Sequence, residues 1–264
     1  LSEAGSAFRD GVYRYLLDRL RGLAAGPWGW PGWESNLRRR GLSKEEIDRR
    51  GYAPVWPEGL AEAARELFEA VPDGLVRVPG FYGRWQSEFL FGRRTAPQPP
   101  RLEGLLIPVR DVGGRVVALK ARTGDPKKKY VWFSGKEPSG SPCHCPLGLP
   151  ARCPVVRVTE GPLKADVAYC LDPNHVPTIG VGGVGSWPAA LPVLEKLKAG
   201  VVLIAYDADL SWKNHIHRQL TAFAAELADR GYRVMREFWD EKDGKGIDDL
   251  FLNGGRTLAE EVSP

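Results

Sequence analysis

The sequence predicts an α/β protein in which a mostly parallel sheet, covered by helices, follows a mixed helical and antiparallel-β part. Three observations carry this expectation. Residues 154–264 alternate apolar runs of strand length with segments of helical period, the pattern of βαβ units. Residues 75–135 hold short apolar runs separated by glycine-rich turns. Residues 1–72 repeat apolar side chains at helical spacing.

In chain order, Phe8, Val12, Tyr15, Leu16, Leu20 and Leu23 mark a first helix, which the Pro/Gly/Trp segment at 26–32 breaks. Ser43 followed by Glu46 reads as a capping box opening a short helix, and residues 58–70 read as another. Strands are expected at 104–109, 115–121 and 130–133. Asp111-Val112-Gly113-Gly114 forms the hairpin turn between the first two. Lys120 and Arg122 then project from one strand at period two. Farther on, strands are expected at 155–159, 177–181, 201–206 and 232–238, with helices at 162–170, 191–198 and 216–230. The domain boundary falls near residue 150, leaving 1–150 as a basic N-terminal part and 151–264 as the parallel-sheet domain.

A chain of 264 residues is long enough for a sizeable core. Lysine and arginine number 37 against 33 acids, a net charge of only +4, but the distribution is uneven. Arg38-Arg39-Arg40, Arg49-Arg50, Arg93-Arg94 and Lys127-Lys128-Lys129 lie in the first half, and the acidic signal lies in the second. A basic platform beside an acidic metal site suits an enzyme acting on a polyanion. No run of 18 apolar residues occurs, so no membrane partner is expected. With 4 cysteines a disulfide scaffold is not expected, and the default setting is reducing and cytoplasmic. The start, Leu1-Ser2-Glu3-Ala4, does not read as a signal peptide, and its lack of Met suggests an excised fragment.

Two strand ends carry the chemistry. One apolar strand ends in Glu160-Gly161, and another leads into Asp207-Ala208-Asp209. If the two strands are parallel neighbours, the three carboxylates meet at one sheet edge, where ligands of such sheets bind. Clustered carboxylates repel one another. A hard divalent cation such as Mg²⁺ relieves that repulsion and keeps waters for substrate phosphates.

Glu-Gly after one strand and Asp-x-Asp after a later one resemble the Toprim fold, which DnaG-type primases, topoisomerases and OLD-type nucleases share. Residues 104–117, Gly-Leu-Leu-Ile-Pro-Val-Arg-Asp-Val-Gly-Gly-Arg-Val-Val, resemble the segment that precedes Toprim in DnaG primases. Lys120-Ala121-Arg122 stands where that family has its basic strand, and Lys129-Tyr130 matches its Lys-Tyr. Residues 37–47 with Gly51-Tyr52-Ala53-Pro54 resemble the helical start of the same core. Residues 159–166 and 245–249, with Gly254-Gly255, look more like the Toprim-like domains of phage and plasmid replication proteins, often fused to helicases. The resemblance covers residues 35–255.

It implies Mg²⁺ or Mn²⁺ on Glu160, Asp207 and Asp209, with Asp248 or Asp249 adding to the shell. It implies Lys120, Arg122 and Lys129 on template, primer or incoming triphosphate, with Arg110 and Lys164 as further contacts. The expected partners are a single-stranded DNA template, nucleoside triphosphates and a fused or associated helicase, within a mobile-element replication protein. The sequence departs from the DnaG pattern at Lys164, where that family carries an acid, and after Asp209, where Leu210-Ser211-Trp212-Lys213-Asn214 replaces Ala-Gly. A metal-dependent nuclease and a non-catalytic nucleic-acid-binding module therefore stand as alternatives to a primase.

Other clusters have plainer readings. Cys143-His144-Cys145 with Cys153 has ligand types that suit zinc, but the first pair is too closely spaced and no second pair follows. A proline-rich loop is expected there, and zinc is not. Cys170 is expected in the core. The glycines of 180–185 read as a turn. His215 and His217 do not share a helix face. Tyr130, Trp132 and Trp85 lie near basic residues and could stack on bases, but core packing is the commoner role of a tryptophan.

Overall fold

The computed structural model describes residues 3–25, 32–71, 74–81, 102–134, 140–208 and 214–262. Asp209, Leu210, Trp85, Arg93, Arg94 and the break at 26–31 lie outside the described residues, as does the side chain of His215. The chain divides into two compact units. One comprises residues 1–36, 44–109 and 115–140, the other residues 37–43, 110–114 and 141–264.

The first unit is built on α1 (Glu3–Ala24), which buries Val12, Tyr13, Leu16, Leu17, Leu20 and Ala24. The expected stripe was centred one position off. Phe8 and Tyr15 are 38% and 45% exposed, because Tyr13 rather than Tyr15 stands one turn before Leu16 and Leu17 on the inward face. The Tyr13 hydroxyl donates to the Pro79 carbonyl at 2.9 Å, and its ring meets Phe133 edge-on at 6.3 Å. The Tyr15 hydroxyl instead donates to Glu66.

Short helices α2 (Ser35–Arg39) and α3 (Lys44–Arg50) follow, and α3 starts right after Ser43, as its sequence predicts. Strand β1 (Ala53–Val55) was not foreseen in a region read as helical. It spans three wholly buried residues, too few to display an alternation. Helix α4 (Pro57–Ala70) packs Leu60, Ala63, Ala64 and Leu67 into the same core. Then come β2 (Gly104–Arg110), β3 (Val116–Thr123) and β4 (Tyr130–Trp132), giving a four-stranded sheet in the order β1-β2-β3-β4. The expected hairpin turn closes with the Gly114 amide donating to the Asp111 carbonyl at 3.0 Å, Gly114 adopting φ +77°.

The second unit is a five-stranded sheet in the order β6-β5-β7-β8-β9. Its strands are β5 (Val155–Glu160), β6 (Thr178–Val181), β7 (Val201–Ile204), β8 (Arg233–Phe238) and β9 (Leu258–Glu261). The first four run parallel and β9 is antiparallel to β8. Helices α5 (Pro162–Leu171), α6 (Leu191–Lys196), α7 (Asn214–Asp229) and α8 (Ile247–Leu252) connect or flank them.

Three details differ from expectation. Strand β7 ends at Ile204, after which the Ala205 amide still donates to the Val158 carbonyl at 2.9 Å. Helix α6 starts where expected but stops at Lys196, two residues before Lys198, which adopts φ +57°; a 3-10 stretch, Val184–Ala190, precedes it and stacks Trp187 on Phe223 at 5.3 Å. Neither β9 nor α8 was foreseen. The outer strand Leu258–Glu261 is exposed throughout and lacks the apolar pattern of a core strand.

Candidate functional site

Strands β5 and β7 are adjacent and parallel, with Val155 opposite Val201 and Val158 opposite Ile204. Glu160 ends β5 and Asp207 lies three residues beyond the end of β7, both at the carboxyl edge of the sheet. Two glycines make that edge. Gly161 has φ +89° and turns the chain directly from Glu160 into α5, with Pro162 in the first turn. A Cβ on Gly180 would come within 2.6 Å of the Gly161 carbonyl oxygen, so only glycine lets β6 approach this turn. Gly180, expected to open a glycine-rich turn, instead lies within β6, and the turn starts after Val181.

The first turn of α5 presents Lys164, which forms an ion pair with Asp207. A second carboxylate arrives from α8. The Ala208 amide donates to the Lys245 carbonyl at 2.9 Å, tying the segment after β7 to the one before α8. The position that a Cβ on Gly246 would occupy lies 2.5 Å from Asp248 Oδ1, 3.1 Å from Lys164 Cε and 3.2 Å from Asp207 Oδ1. Three functional groups thus converge on a glycine that has no side chain to keep them apart. Asp248 is 2% exposed. Arg40 Nη1 donates to its Oδ2 at 2.6 Å, while Oδ1 is buried with no hydrogen-bond partner among the described residues. Burial raises its pKa first. Lys164 and Arg40 oppose that rise, and the neighbouring carboxylates Asp249 and Asp207 add to it.

Of the five expected metal ligands, Glu160 and Asp249 are partly buried, Asp207 and Asp248 converge at Gly246, and Asp209 lies outside the described residues. Among the described residues, no three His, Cys, Asp or Glu side chains stand close enough to hold an ion together. The charge of Asp207 and Asp248 is instead met by two protein cations, Lys164 and Arg40. A hard divalent cation fits this donor set to the extent that an oxygen-only pair with one unengaged buried oxygen is its preferred chemistry.

Tyr206 was not singled out from sequence. Its hydroxyl is buried without a hydrogen-bond partner among the described residues. Burial, then the charges of Glu160 and Cys143, hold its phenol well above the ordinary value. A cavity of about 330 Å³ opens beside Asp207, lined by Ile204, Tyr206, Leu220, Phe238 and Trp239.

The Cys-His-Cys loop turns out to be a structural tie. Cys143, Cys145 and Cys153 pack in the core with Val156, Val158 and Ile179, and burial pushes the Cys145 thiol up to about 12. His144 pairs by its backbone with Gly180 in both directions, at 2.7 and 2.9 Å. The Arg110 amide donates to His144 Nδ1 at 3.1 Å, so Nε2 carries the ring proton and faces Asp166 Oδ1 at 3.2 Å. Cys170, expected in the core, is half-buried. Arg110 is 4% exposed, and its Nη1 donates to the Gly114 carbonyl at 3.3 Å.

Two expected basic residues of the first unit, Lys120 and Arg122, share one sheet face. Lys120 pairs across with Trp132 and Arg122 with Tyr130, so all four side chains project to the same side. Lys120 Nζ lies 4.9 Å from the Trp132 ring centroid and 5.5 Å from that of Tyr130. Arg122 bonds Asn36, Tyr130 is 39% exposed, and Lys129 is exposed beside it.

A family model described as a domain of unknown function, DUF3854, matches residues 150–258. No curated protein matches the chain. Among solved structures, a DNA primase domain from Pseudomonas aeruginosa aligns with a TM-score of 0.68 at 17% identity, covering 93% of this chain and 75% of that one. The DnaG primase catalytic domain bound to ssDNA aligns at 0.60 and 18%, covering 91% and 75%. The RNA polymerase domain of Mycobacterium tuberculosis primase DnaG aligns at 0.58 and 15%, covering 95% and 80%. The chain has the mixed α/β fold of DnaG-type primase catalytic cores, with a parallel-rich sheet. No helix among the described residues is long and apolar enough to cross a membrane.

Proposed function

We propose that this chain is the catalytic core of a DnaG-like primase from a mobile-element replication protein, with residues 151–264 acting as its Toprim domain. The observation that carries the reading is the register of β5 and β7, which sets Glu160 and Asp207 at one sheet edge in a fold shared with primase catalytic domains. In this reading Glu160, Asp207 and Asp209 hold Mg²⁺ or Mn²⁺, with Asp248 or Asp249 adding to the metal shell. A bound divalent cation supplies charge stabilisation for phosphoryl transfer to a primer end.

The chain's own residues do the rest. Lys120, Arg122 and Lys129 hold the phosphates of template or triphosphate, and Tyr130 and Trp132 offer rings on which single-stranded bases stack. Arg110 and Lys164 are further contacts in this reading. A helicase partner belongs to the same reading.

A second reading has a specific observation behind it. Lys164 neutralises Asp207, and the described acids form no three-ligand cluster, as a non-catalytic nucleic-acid-binding module would allow. One gel separates these, and a nuclease besides. The protein is incubated with single-stranded template, labelled nucleotides and Mn²⁺. Extended labelled products support the primase, and their loss in Asp207→Asn assigns them to this site. Shortened template supports a nuclease. Retained binding with no product supports the module and overturns the proposal.

A further inference from the structure

We propose that the Lys164 ammonium is the resident counter-cation of the Asp207–Asp248 carboxylate pair, and that a divalent cation must displace it to bind. This rests on the reading above that Asp207 is a metal ligand.

Two carboxylate oxygens, Asp207 Oδ1 and Asp248 Oδ1, lie 3.2 and 2.5 Å from one point beside Gly246, so they cannot be farther apart than the sum of those distances. Two anions that close, one of them 2% exposed, repel strongly unless a cation stands with them. The chain supplies two cations, and they are not equivalent. Arg40 bonds the far oxygen, Oδ2, of Asp248 at 2.6 Å, outside the shared space. Lys164 reaches into that space, with its Cε 3.1 Å from the same point and its ammonium paired to Asp207. Asp248 Oδ1 is aimed there too, buried and with no hydrogen-bond partner among the described residues.

The chemistry of the two side chains fits different tasks. A guanidinium is a fixed planar fork, while an ammonium on a four-carbon stem is a point charge that can swing away. Lys164 is 24% exposed at its side chain, so it has solvent to swing into. A tethered cation competes with a free one through its high effective concentration, so Lys164 weakens binding of bare metal. A metal that arrives with a triphosphate is penalised less, because the displaced ammonium gains an anion.

The test is a Mn²⁺ titration followed by electron paramagnetic resonance on the full chain, with melting curves to confirm folding. Lys164→Gln is expected to bind Mn²⁺ about tenfold tighter than the parent, equivalent to ~1.4 kcal/mol. Lys164→Arg should stay near the parent affinity, and Lys164→Gln/Asp207→Asn should lose the gain. Lys164→Met, which keeps the aliphatic stem, serves if the Gln variant does not fold. Parent binding with no gain in Lys164→Gln overturns the counter-cation role and leaves the metal reading standing. Failure of every variant to bind Mn²⁺ at millimolar concentration overturns both.

Discussion

The second unit contains two clusters of opposite charges, and they are built to different ends. At the first, Arg157 on β5 is 2% exposed. Its Nε and Nη2 donate to the two Glu237 oxygens at 2.5 and 2.9 Å, and its Nη1 donates to Asp172 at 2.6 Å and to Thr178 Oγ1 at 3.2 Å. Asp172 also accepts from the Asn174 amide at 2.8 Å, and Thr257 donates to Glu237 at 2.9 Å. The Phe251 ring covers the guanidinium carbon at 5.1 Å. Burial alone would lower the pKa of Arg157, but the bonds and charges of Glu237 and Asp172 outweigh it and hold the group above its ordinary value. At the second cluster Lys164, Asp207 and Arg40 are partly exposed at the sheet edge around the buried Asp248, one oxygen of which is unengaged. A fully bonded interior cluster fixes structure. An incompletely bonded one at the ligand-binding edge of a parallel sheet keeps capacity for something else.

The largest expected effect separates the two clusters by stability. Arg157→Ala leaves two buried carboxylates uncompensated and should cost roughly 3–5 kcal/mol in urea unfolding. A loss below about 1 kcal/mol would break the comparison, since that is the scale of an exposed pair. Glu237→Gln keeps the shape but removes the charge beneath the bidentate contact, and a loss of about 1.5–3 kcal/mol is expected.

The third prediction concerns pH. The folded-state pKa of Asp248 is raised, chiefly by burial, so the folded chain takes up a proton at a pH where the unfolded chain does not. Its contribution therefore makes stability fall as pH rises through that raised value, and the effect is absent below the unfolded carboxylate range. Asp248→Asn should flatten this part of the stability–pH curve, measured by thermal melts from pH 4 to 8 in metal-free buffer. The smallest effect is at Lys164. Its pair with Asp207 is partly solvated, so Lys164→Gln should change stability by less than about 1 kcal/mol. A loss as large as that of Arg157→Ala would make the edge cluster structural as well.

Much of this was legible in the sequence, for identifiable reasons. The βαβ alternation of the second half announced the parallel sheet, because buried strands such as Val155–Glu160 read as apolar runs ended by polar residues. The turn at Asp111–Gly114 was legible because its glycine demands a positive φ. Strand β1 and the edge strand β9 were not, the first being too short and the second too polar to carry a period. At the site, Glu160 and Asp207 stood out because each follows an apolar strand. The pairing of Lys164 with Asp207 joins residues 43 positions apart, and Arg40 reaches Asp248 across 208. Such pairs depend on the packing of α5 and α8, to which a linear pattern is blind. The departure of Lys164 from an acidic position was the one trace of it. His144 shows the converse, a residue with ligand chemistry whose backbone and ring are used to tie Gly180 and Asp166 together.

The most direct measurement is an anomalous difference map from a crystal of the protein soaked in Mn²⁺. A metal-dependent edge site predicts a peak in coordination contact with the carboxylates of Glu160 and Asp207, with the Lys164 ammonium withdrawn from Asp207. A map with no peak there, and Lys164 still paired to Asp207 at saturating Mn²⁺, would contradict it.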